Sequence, residues 1–351
     1  MANMAQAIRM ALHYGEKHLG VTDIFGEDVG PPLGGVFTAT QGLKTTWNSP
    51  LDERGIISMA IGLAMAGQKP VAEIQFCDYV FNTIDLLKVA GNTCWATNGD
   101  WNLPMVVMTP VGSGIRGSIY HSHSFDASMT RIPGWKIVMP SNPLDAYGLM
   151  LAALKEKDPV MYLKPKALLR VRGDELIPGE PADEKQLKEM IDAPLGDRSN
   201  WQARWPELQD YVVPIGKAKV CRQGTQLTVV SYGRTLPLCL QAAAQLAEEG
   251  IDAEVIDLRT LIPYDWNCIS QSIKKTRKIL YVNEDTEVTN FGEHLIRRTI
   301  EEFFYELDAA PRLIAGKNLP GIGLADALEL ASVPQLTDIV ESMRVLAHEV
   351  P

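Results

Sequence analysis

The chain has 351 residues, of which 46% are hydrophobic and 22% charged, with a formal net charge of −10 at pH 7. This composition excludes a disordered, collagen-like or coiled-coil chain, and the length predicts two domains. No basic run is longer than 274–278, so nucleic acids and anionic membranes are poor partners. An acidic surface suits a basic protein partner instead.

Five cysteines are scattered along the chain without a C-x-x-C pair, which favours a reducing compartment over a secreted disulfide framework. The first twenty residues have a helical pattern and lack the basic patch and apolar stretch of a signal peptide. The longest apolar runs, such as 105–108, have the length of a strand and are too short for a membrane span. We therefore expect a soluble, cytoplasmic protein.

Short apolar runs alternate with longer amphipathic segments, which is the pattern of parallel strands joined by helices. In the first half, the predicted strands are 21–25, 71–74, 105–109, 136–139 and 160–163. The predicted helices between them are 55–66, 81–96 and 143–155. Prolines delimit the third and fourth of these strands. The predicted fold class is therefore α/β with a doubly wound sheet.

The alternation stops between residues 172 and 212, where glycines and prolines interrupt charged stretches. Trp201, Trp205 and Tyr211 lie in this irregular segment, which indicates that it docks on the protein's own surface or on a partner. The alternation then returns with strands 227–231, 253–256 and 279–282 and helices 236–249, 269–276 and 292–307. We predict a domain over 1–171, an irregular connecting insertion over 172–212 and a smaller α/β domain over 213–351.

The run Gly112-Ser113-Gly114-Ile115-Arg116-Gly117 has the G-x-G-x-x-G spacing of a dinucleotide site and follows a predicted strand. Its continuation, 118–123, alternates and does not indicate the helix that such a site requires. A flexible active-site loop, whose glycines let the backbone approach a ligand, is the favoured interpretation.

His121 and His123 follow this loop with the spacing that places two imidazoles on one face of an extended strand. A metal site would need a third ligand, and only Asp126 is close in sequence. A proton donor or acceptor in catalysis is the favoured role, and a surface histidine without a role is the alternative.

Glu53 precedes an apolar segment, 56–66, that predicts a buried helix. Its ordinary role would be to complement the helix dipole at the N-terminus. A carboxylate at the mouth of a buried helix would also lie in a low dielectric and need a hydrogen-bond partner. The spacing alone leaves a capping role and a functional role open.

Several segments occur in the order typical of one known family. They are GEDVG at 26–30, residues 51–67, VAEIQFCDY at 71–79, HSHS at 121–124, IPG at 132–134 and IDLRTLIP at 256–263. Together they resemble the beta subunit of a thiamine-diphosphate-dependent 2-oxoacid dehydrogenase, of branched-chain or pyruvate type. The resemblance spans nearly the whole chain and is weakest in the irregular segment. It implies a transketolase-like fold, with a doubly wound pyrimidine-binding domain and a smaller C-terminal α/β domain.

The resemblance also implies a cofactor and partners. Members of this family form heterotetramers of two alpha and two beta chains that hold thiamine diphosphate between them, with Mg²⁺ and the diphosphate on the alpha subunit. This sequence contains no G-D-G motif for the diphosphate, which agrees with a beta subunit. The expected partners are an alpha subunit and the peripheral subunit-binding domain of a lipoylated transacylase core.

Site residues carry over position by position from this resemblance. Glu53 matches the glutamate that hydrogen-bonds the pyrimidine ring nitrogen and favours the imino tautomer, whose nitrogen removes the thiazolium proton. Desolvation suits such a carboxyl because it favours the protonated form. His121 matches the histidine that acts in decarboxylation and in acyl transfer to lipoyl-lysine. The other matches are the cofactor-binding residues Leu51, Gln75 and Tyr79, whose ring stacks on the pyrimidine, and Glu27 in a proton tunnel between two active sites.

Three departures from the family pattern fall around the substrate and lipoyl entrance. His123 stands where many members have glutamine, Arg131 where they have a second histidine, and Val111 where they have tyrosine. They leave the substrate open: a branched-chain 2-oxoacid is favoured, and pyruvate or acetoin is the alternative. A stand-alone ketol-transfer enzyme and a non-catalytic assembly subunit are alternatives of other kinds, and retention of Glu53 and His121 disfavours the second.

Overall fold

The computed structural model describes residues 1–198 and 200–351, which form two compact units. Unit 1 contains Met1–Pro110 and Ile132–Ile215. Unit 2 contains Val111–Arg131 and Gly216–Pro351. The compact units group segment 111–131 with the C-terminal part of the chain, and the domain boundaries at 171 and 212 stay a prediction.

The elements of both units are numbered along the chain. The helices are α1 Met4–Tyr14, α2 Glu53–Met65, α3 Ile84–Ala96, α4 Ser118–His121, α5 Asp126–Thr130, α6 Pro143–Lys155, α7 Glu184–Ile191, α8 Thr235–Ala247, α9 Trp266–Thr276, α10 Phe291–Phe303, α11 Asp326–Ser332 and α12 Leu336–His348. The strands are β1 Asp23–Gly26, β2 Thr46–Asn48, β3 Pro70–Glu73, β4 Val106–Val111, β5 Lys136–Val138, β6 Val160–Pro165, β7 Lys219–Arg222, β8 Leu227–Ser231, β9 Ala253–Asp257, β10 Thr260–Ile262, β11 Ile279–Thr286 and β12 Arg312–Gly316. Within the described residues, no helix combines the length and apolar character that crossing a bilayer requires.

In unit 1 the strands lie in the order β5–β6–β4–β3–β1–β2. Strand β1 pairs in parallel with β2 and β3, β3 with β4, and β5 with β6. Strands β3, β4 and β6 are buried along their whole length, as is typical of a parallel sheet covered on both faces. The carboxyl ends of β1 and β3 are neighbours, so residues that follow these strands lie together.

A buried ion pair joins two strands of this sheet. Lys164 on β6 and Glu73 on β3 have 0% and 2% of their side chains exposed. Glu73 Oε1 also accepts a hydrogen bond from the Val36 N–H at 2.9 Å. Charges are tolerated in a protein interior only when they are paired and hydrogen-bonded, so each partner requires the other.

The irregular segment contains a helix, α7, that the sequence analysis does not predict. Asp183 caps its first turn, and its two buried side chains, Leu187 and Ile191, are four residues apart. An ion pair between Asp192 and the buried guanidinium of Arg9 ties the end of α7 to α1. The prediction misses this helix because it is short and presents only two apolar side chains to the core.

The aromatic residues of the irregular segment dock on unit 1 itself, which is one of the two outcomes predicted. Trp205 stacks on His13, with ring centroids 4.2 Å apart and planes inclined by 7°. The ring of Trp201 lies so close to Gly42 that a Cβ there would be 2.9 Å from Trp201 Cη2. The segment is therefore packed against the domain over this part of its length.

In unit 2 the strands lie in the order β12–β11–β8–β9–β7. Strand β7 is antiparallel to β9, and the pairs β8–β9, β8–β11 and β11–β12 are parallel. Apolar residues of β8, β9 and β11 form one core with helices α8 and α12. This smaller α/β unit agrees with the predicted C-terminal fold class.

Candidate active site

Two of the predicted site residues lie at the carboxyl ends of neighbouring strands in unit 1. Glu27 follows β1 directly, and Gln75 comes two residues after β3. Gln75 Nε2 donates a hydrogen bond to Asp28 Oδ2 at 2.5 Å, which fixes the amide beside the end of β1. In open α/β sheets this edge is where ligands bind.

Glu53 is the first residue of α2 and is half-buried. The carboxyl group of the N-cap residue, Asp52, lies against Gly55 in the first turn of α2. A Cβ on Gly55 would be only 2.7 Å from Asp52 Oδ2, so the absence of a side chain there leaves space for this carboxyl group. Asn82 Nδ2 donates a hydrogen bond to Glu53 Oε2 at 3.4 Å. Leu51, two residues before Glu53, is 80% exposed.

The predicted burial of this helix holds for only one of its faces in the single chain. One face is buried and includes Ile57, Ala60 and Ala64, whereas Met59 and Met65 are 49% and 52% exposed. The uniformly apolar sequence hides this difference because hydrophobicity alone does not reveal which face of a helix the chain covers.

Glu27 and Glu53 are hydrogen-bonded to each other. Burial, then the charges of Glu53 and Asp28, raise the pKa of Glu27. A hydrogen bond between two carboxyl groups requires one proton, and the raised pKa of Glu27 favours its protonated form. Glu27 Oε1 is buried and has no hydrogen-bond partner in the described part of the chain. The pair therefore retains one unused acceptor.

Tyr79 lies on the 3₁₀ turn Cys77–Thr83 that follows β3. Burial, then the charges of Asp78, Glu27 and Glu53, raise the pKa of its hydroxyl. Its ring stands edge-on to Phe76, with centroids 6.1 Å apart. The hydroxyl of Tyr79 therefore lies within electrostatic range of both glutamates. Unit 1 thus brings together Glu27, Glu53, Gln75 and Tyr79.

His121 and His123 belong to unit 2, and their backbone differs from the prediction. His121 ends the short helix α4, Ser118–His121, so the expectation that no helix begins in 118–123 is wrong, and His121 is not in an extended conformation. The residues before it turn repeatedly: Gly112, Gly114 and Arg116 have φ of +83°, +105° and +57°. These left-handed conformations are incompatible with a strand.

Sequence reasoning missed a buried acidic cluster in unit 2. Asp126 and Asp285 are 1% and 6% exposed, and Asp285 Oδ2 accepts a hydrogen bond from the Ala127 N–H at 3.0 Å. Burial, then the charges of Asp285 and Glu284, raise the pKa of Asp126 well above its usual range. The signal available in the sequence was the pair Glu284-Asp285 at the end of a predicted strand.

No group of three or more possible metal ligands occurs within residues 1–198 and 200–351.

Comparisons with known families match both halves of the chain. The profile described as "Transketolase, pyrimidine binding domain" matches residues 1–172. The profile described as "Transketolase, C-terminal domain" matches residues 216–339. A solved structure described as "Split gene transketolase, inactive beta4 tetramer" is similar with a TM-score of 0.73 and 18% identity, covering 100% of both chains. This likeness shows the transketolase-like fold.

Curated relatives are similar over almost the whole chain. A 2-oxoisovalerate dehydrogenase subunit beta from Bacillus subtilis is 37% identical over 333 residues, which cover 93% of this chain and 92% of that protein. Another from Pseudomonas aeruginosa is 38% identical, with coverages of 90% and 87%. A pyruvate dehydrogenase E1 component subunit beta from Acholeplasma laidlawii is 35% identical, with coverages of 99% and 97%. The chain belongs to the family of 2-oxoacid dehydrogenase beta subunits, built from a transketolase pyrimidine-binding domain and a transketolase C-terminal domain.

Proposed function

We propose that this chain binds the pyrimidine ring of thiamine diphosphate as the beta subunit of a 2-oxoacid dehydrogenase. The enzyme would decarboxylate a 2-oxoacid oxidatively and transfer the acyl group to lipoyl-lysine of a transacylase. The observation that carries this proposal is the hydrogen-bonded pair of Glu27 and Glu53 beside Tyr79. Membership of the dehydrogenase beta-subunit family supports the reaction class.

The residues present fit a pyrimidine ring. Glu53 offers a half-buried carboxyl that can hold a proton at a ring nitrogen. Glu27 Oε1 is a buried acceptor with no partner among the described residues, so the site keeps a polar position for a ligand or water. Tyr79 supplies an aromatic surface, Leu51 is exposed and free to cover a ring, and Gln75 lies at the same sheet edge.

When bound, the coenzyme supplies the carbon nucleophile that decarboxylation of a 2-oxoacid requires. Glu53 holds a proton at the ring nitrogen and so selects the ring tautomer. Glu27 has a raised pKa and is hydrogen-bonded to Glu53, so it can return a proton to Glu53. A proton tunnel that includes Glu27 requires this proton transfer from Glu27 to Glu53. In the proposal, His121 acts later, in acyl transfer.

We propose an alpha subunit as the partner, which would hold Mg²⁺ and the diphosphate. Exposed apolar side chains concentrate on α2 and α3, two helices of unit 1 that pack together. Met59, Met65, Val89 and Trp95 are 49%, 52%, 55% and 88% exposed. Exposed apolar side chains on neighbouring helices are typical of a subunit interface. A lipoylated transacylase core is the second proposed partner, through its peripheral subunit-binding domain.

A branched-chain 2-oxoacid is the proposed substrate, because two of the relatives described above are 2-oxoisovalerate dehydrogenase subunits. Pyruvate is the alternative that the third relative suggests, and acetoin is a further one. A panel of 2-oxoisovalerate, pyruvate and acetoin, assayed with the alpha–beta complex from the same organism, decides between them. The highest kcat/KM identifies the substrate.

Replacement of Glu53 tests the proposed role of this chain. Glu53→Gln is expected to lower kcat of the alpha–beta complex by about 100-fold or more, because the amide cannot exchange a proton with the ring nitrogen. Glu306→Gln, at an exposed position of unit 2, is the matched control. Full activity of Glu53→Gln in an assembled complex would favour the assembly-subunit alternative, and thiamine diphosphate binding by the isolated chain would favour a stand-alone enzyme.

A further inference from the structure

Residues 112–123, which we call the histidine loop, form a closed loop in unit 2. The Gly112 N–H donates a hydrogen bond to the His123 carbonyl at 2.9 Å and so joins the two ends. Inside the loop, Arg116 and Ser118 have φ of +57° and +53°. Residues with side chains adopt this region rarely, so other contacts must hold the loop in shape.

Two carboxylates supply those contacts through the loop backbone. Glu329 Oε1 accepts hydrogen bonds from the N–H groups of Gly114 and Arg116, at 2.8 and 3.3 Å. Glu284 Oε1 accepts from the N–H of Ser113. Glu329 is only 7% exposed, and hydrogen bonds to a carboxylate are the stronger kind. The first turn of the loop is therefore held by acceptors that lie 171 and 215 residues away in sequence.

The held turn is in direct contact with His121. Gly117 follows Arg116, and a Cβ on Gly117 would lie 2.5 Å from His121 Cβ. Helix α4 has four residues and none of them is buried, so its own packing does little to fix it. The position of His121 therefore depends on the turn that Glu329 holds.

We propose that Glu329 is a positioning residue for His121. It acts through the amides of Gly114 and Arg116, which set the backbone against which His121 rests. This inference rests on the proposed function, in which His121 serves acyl transfer to lipoyl-lysine. It adds to that function a residue whose side chain does not need to touch substrate or coenzyme.

The test compares Glu329→Ala and Glu329→Gln in the alpha–beta complex, with Glu341→Ala as the control. Glu341 is an exposed glutamate of α12 that pairs with Arg344. In Glu329→Ala, hydrogen exchange of peptides covering the histidine loop is expected to accelerate about tenfold or more. The kcat of acyl transfer to a lipoylated domain is expected to fall about tenfold, while the Kd for thiamine diphosphate stays within about threefold. Glu329→Gln keeps an acceptor oxygen and is expected to restore most of both properties.

Gly117→Ala provides a second route to the same result. It places a Cβ against His121 without changing Glu329, so it is expected to slow acyl transfer and spare coenzyme affinity. Loop exchange or acyl transfer at the wild-type rate in Glu329→Ala would overturn the proposal, as would a parallel loss of coenzyme affinity. A wild-type complex without acyl transfer would refute the proposed function instead, and loop exchange alone would then decide whether Glu329 holds the loop.

Discussion

Glu27 is hydrogen-bonded to Glu53, although one residue directly follows strand β1 and the other begins helix α2. Burial and the charges of its neighbours raise the pKa of Glu27. The pair is therefore a source of pH dependence in the folded chain.

The stability contribution of Glu27 is expected to depend on pH. A carboxyl with a raised pKa contributes fully below its unfolded value, about 4.3, and loses that contribution as the pH rises through the folded value. The wild-type urea midpoint should therefore fall, relative to that of Glu27→Gln, as the pH rises above about 4.3. Urea unfolding followed by fluorescence at several pH values measures this difference. Parallel curves for the two proteins would contradict the raised pKa of Glu27.

The Lys164–Glu73 ion pair is expected to be essential for the stability of unit 1. Lys164→Met leaves an unpaired buried carboxylate and should lower the free energy of unfolding by about 3–5 kcal/mol. Adding Glu73→Gln should recover most of this loss, because a neutral amide oxygen still accepts from Val36. Lys155→Met, in an exposed pair with Asp210, should cost about 1 kcal/mol or less. Equal losses in urea unfolding for the single and double variants would show that the pair is not coupled.

Gly134 is expected to tolerate no side chain. It has φ of +92°, and a Cβ there would lie 1.6 Å from the carbonyl oxygen of Gly91 in α3. Gly134→Ala should therefore destabilise by about 3 kcal/mol or more, since backbone strain and steric overlap add. Gly250→Ala shares the left-handed conformation, with φ of +81° and no atom within 4 Å, and should cost about 1 kcal/mol. Thermal unfolding of both variants separates strain from overlap, and equal losses would mean that α3 moves aside.

Asp126 is expected to make the stability of the folded chain depend on pH. Burial, then the charges of Asp285 and Glu284, raise its pKa well above the usual range, so its stability contribution falls as the pH rises above its unfolded value. Asp126→Asn replaces the carboxyl group with a neutral amide of the same shape. The free energy of unfolding of the variant, relative to that of the wild type, should rise by up to about 1.4 kcal/mol per pH unit above about pH 4.

Urea unfolding of Asp126→Asn and of wild type across this pH range checks the expectation. Asp174→Asn, at an exposed position, is the control and should follow the wild-type curve. A difference between Asp126→Asn and wild type that does not change with pH would mean that Asp126 is ionised in the folded chain.

The sequence predicts helices and strands best where prolines or turn residues flank a run of residues that is buried in the structure. Helix α6 and strand β8 have their predicted bounds, 143–155 and 227–231, because prolines or polar turns flank runs that are buried. Strands β2 and β12 were not predicted, since both lie at sheet edges and their residues are at least partly exposed over most of their length. Edge strands depend on pairing with a neighbour rather than on a local apolar pattern.

Only some residues of the candidate site could likewise be predicted from the sequence. The resemblance singled out Glu27 and Glu53, and the structure brings their carboxyl groups together. It gave no sign of Glu329, whose bonds to Gly114 and Arg116 span more than 200 residues. Residues that act through long-range backbone hydrogen bonds leave no periodicity or spacing in a single sequence.

The chain path around segment 111–131 has a consequence for recombination between relatives. The segment contains His121 and His123. Its backbone N–H groups donate hydrogen bonds to Glu284 and Glu329, which lie in the last quarter of the chain. A chimera that joined residues 1–215 to a foreign C-terminal half would separate these amides from their own acceptors. Such hybrids should retain activity only when the donor brings acidic side chains to both positions, and that requirement can guide the choice of crossover points.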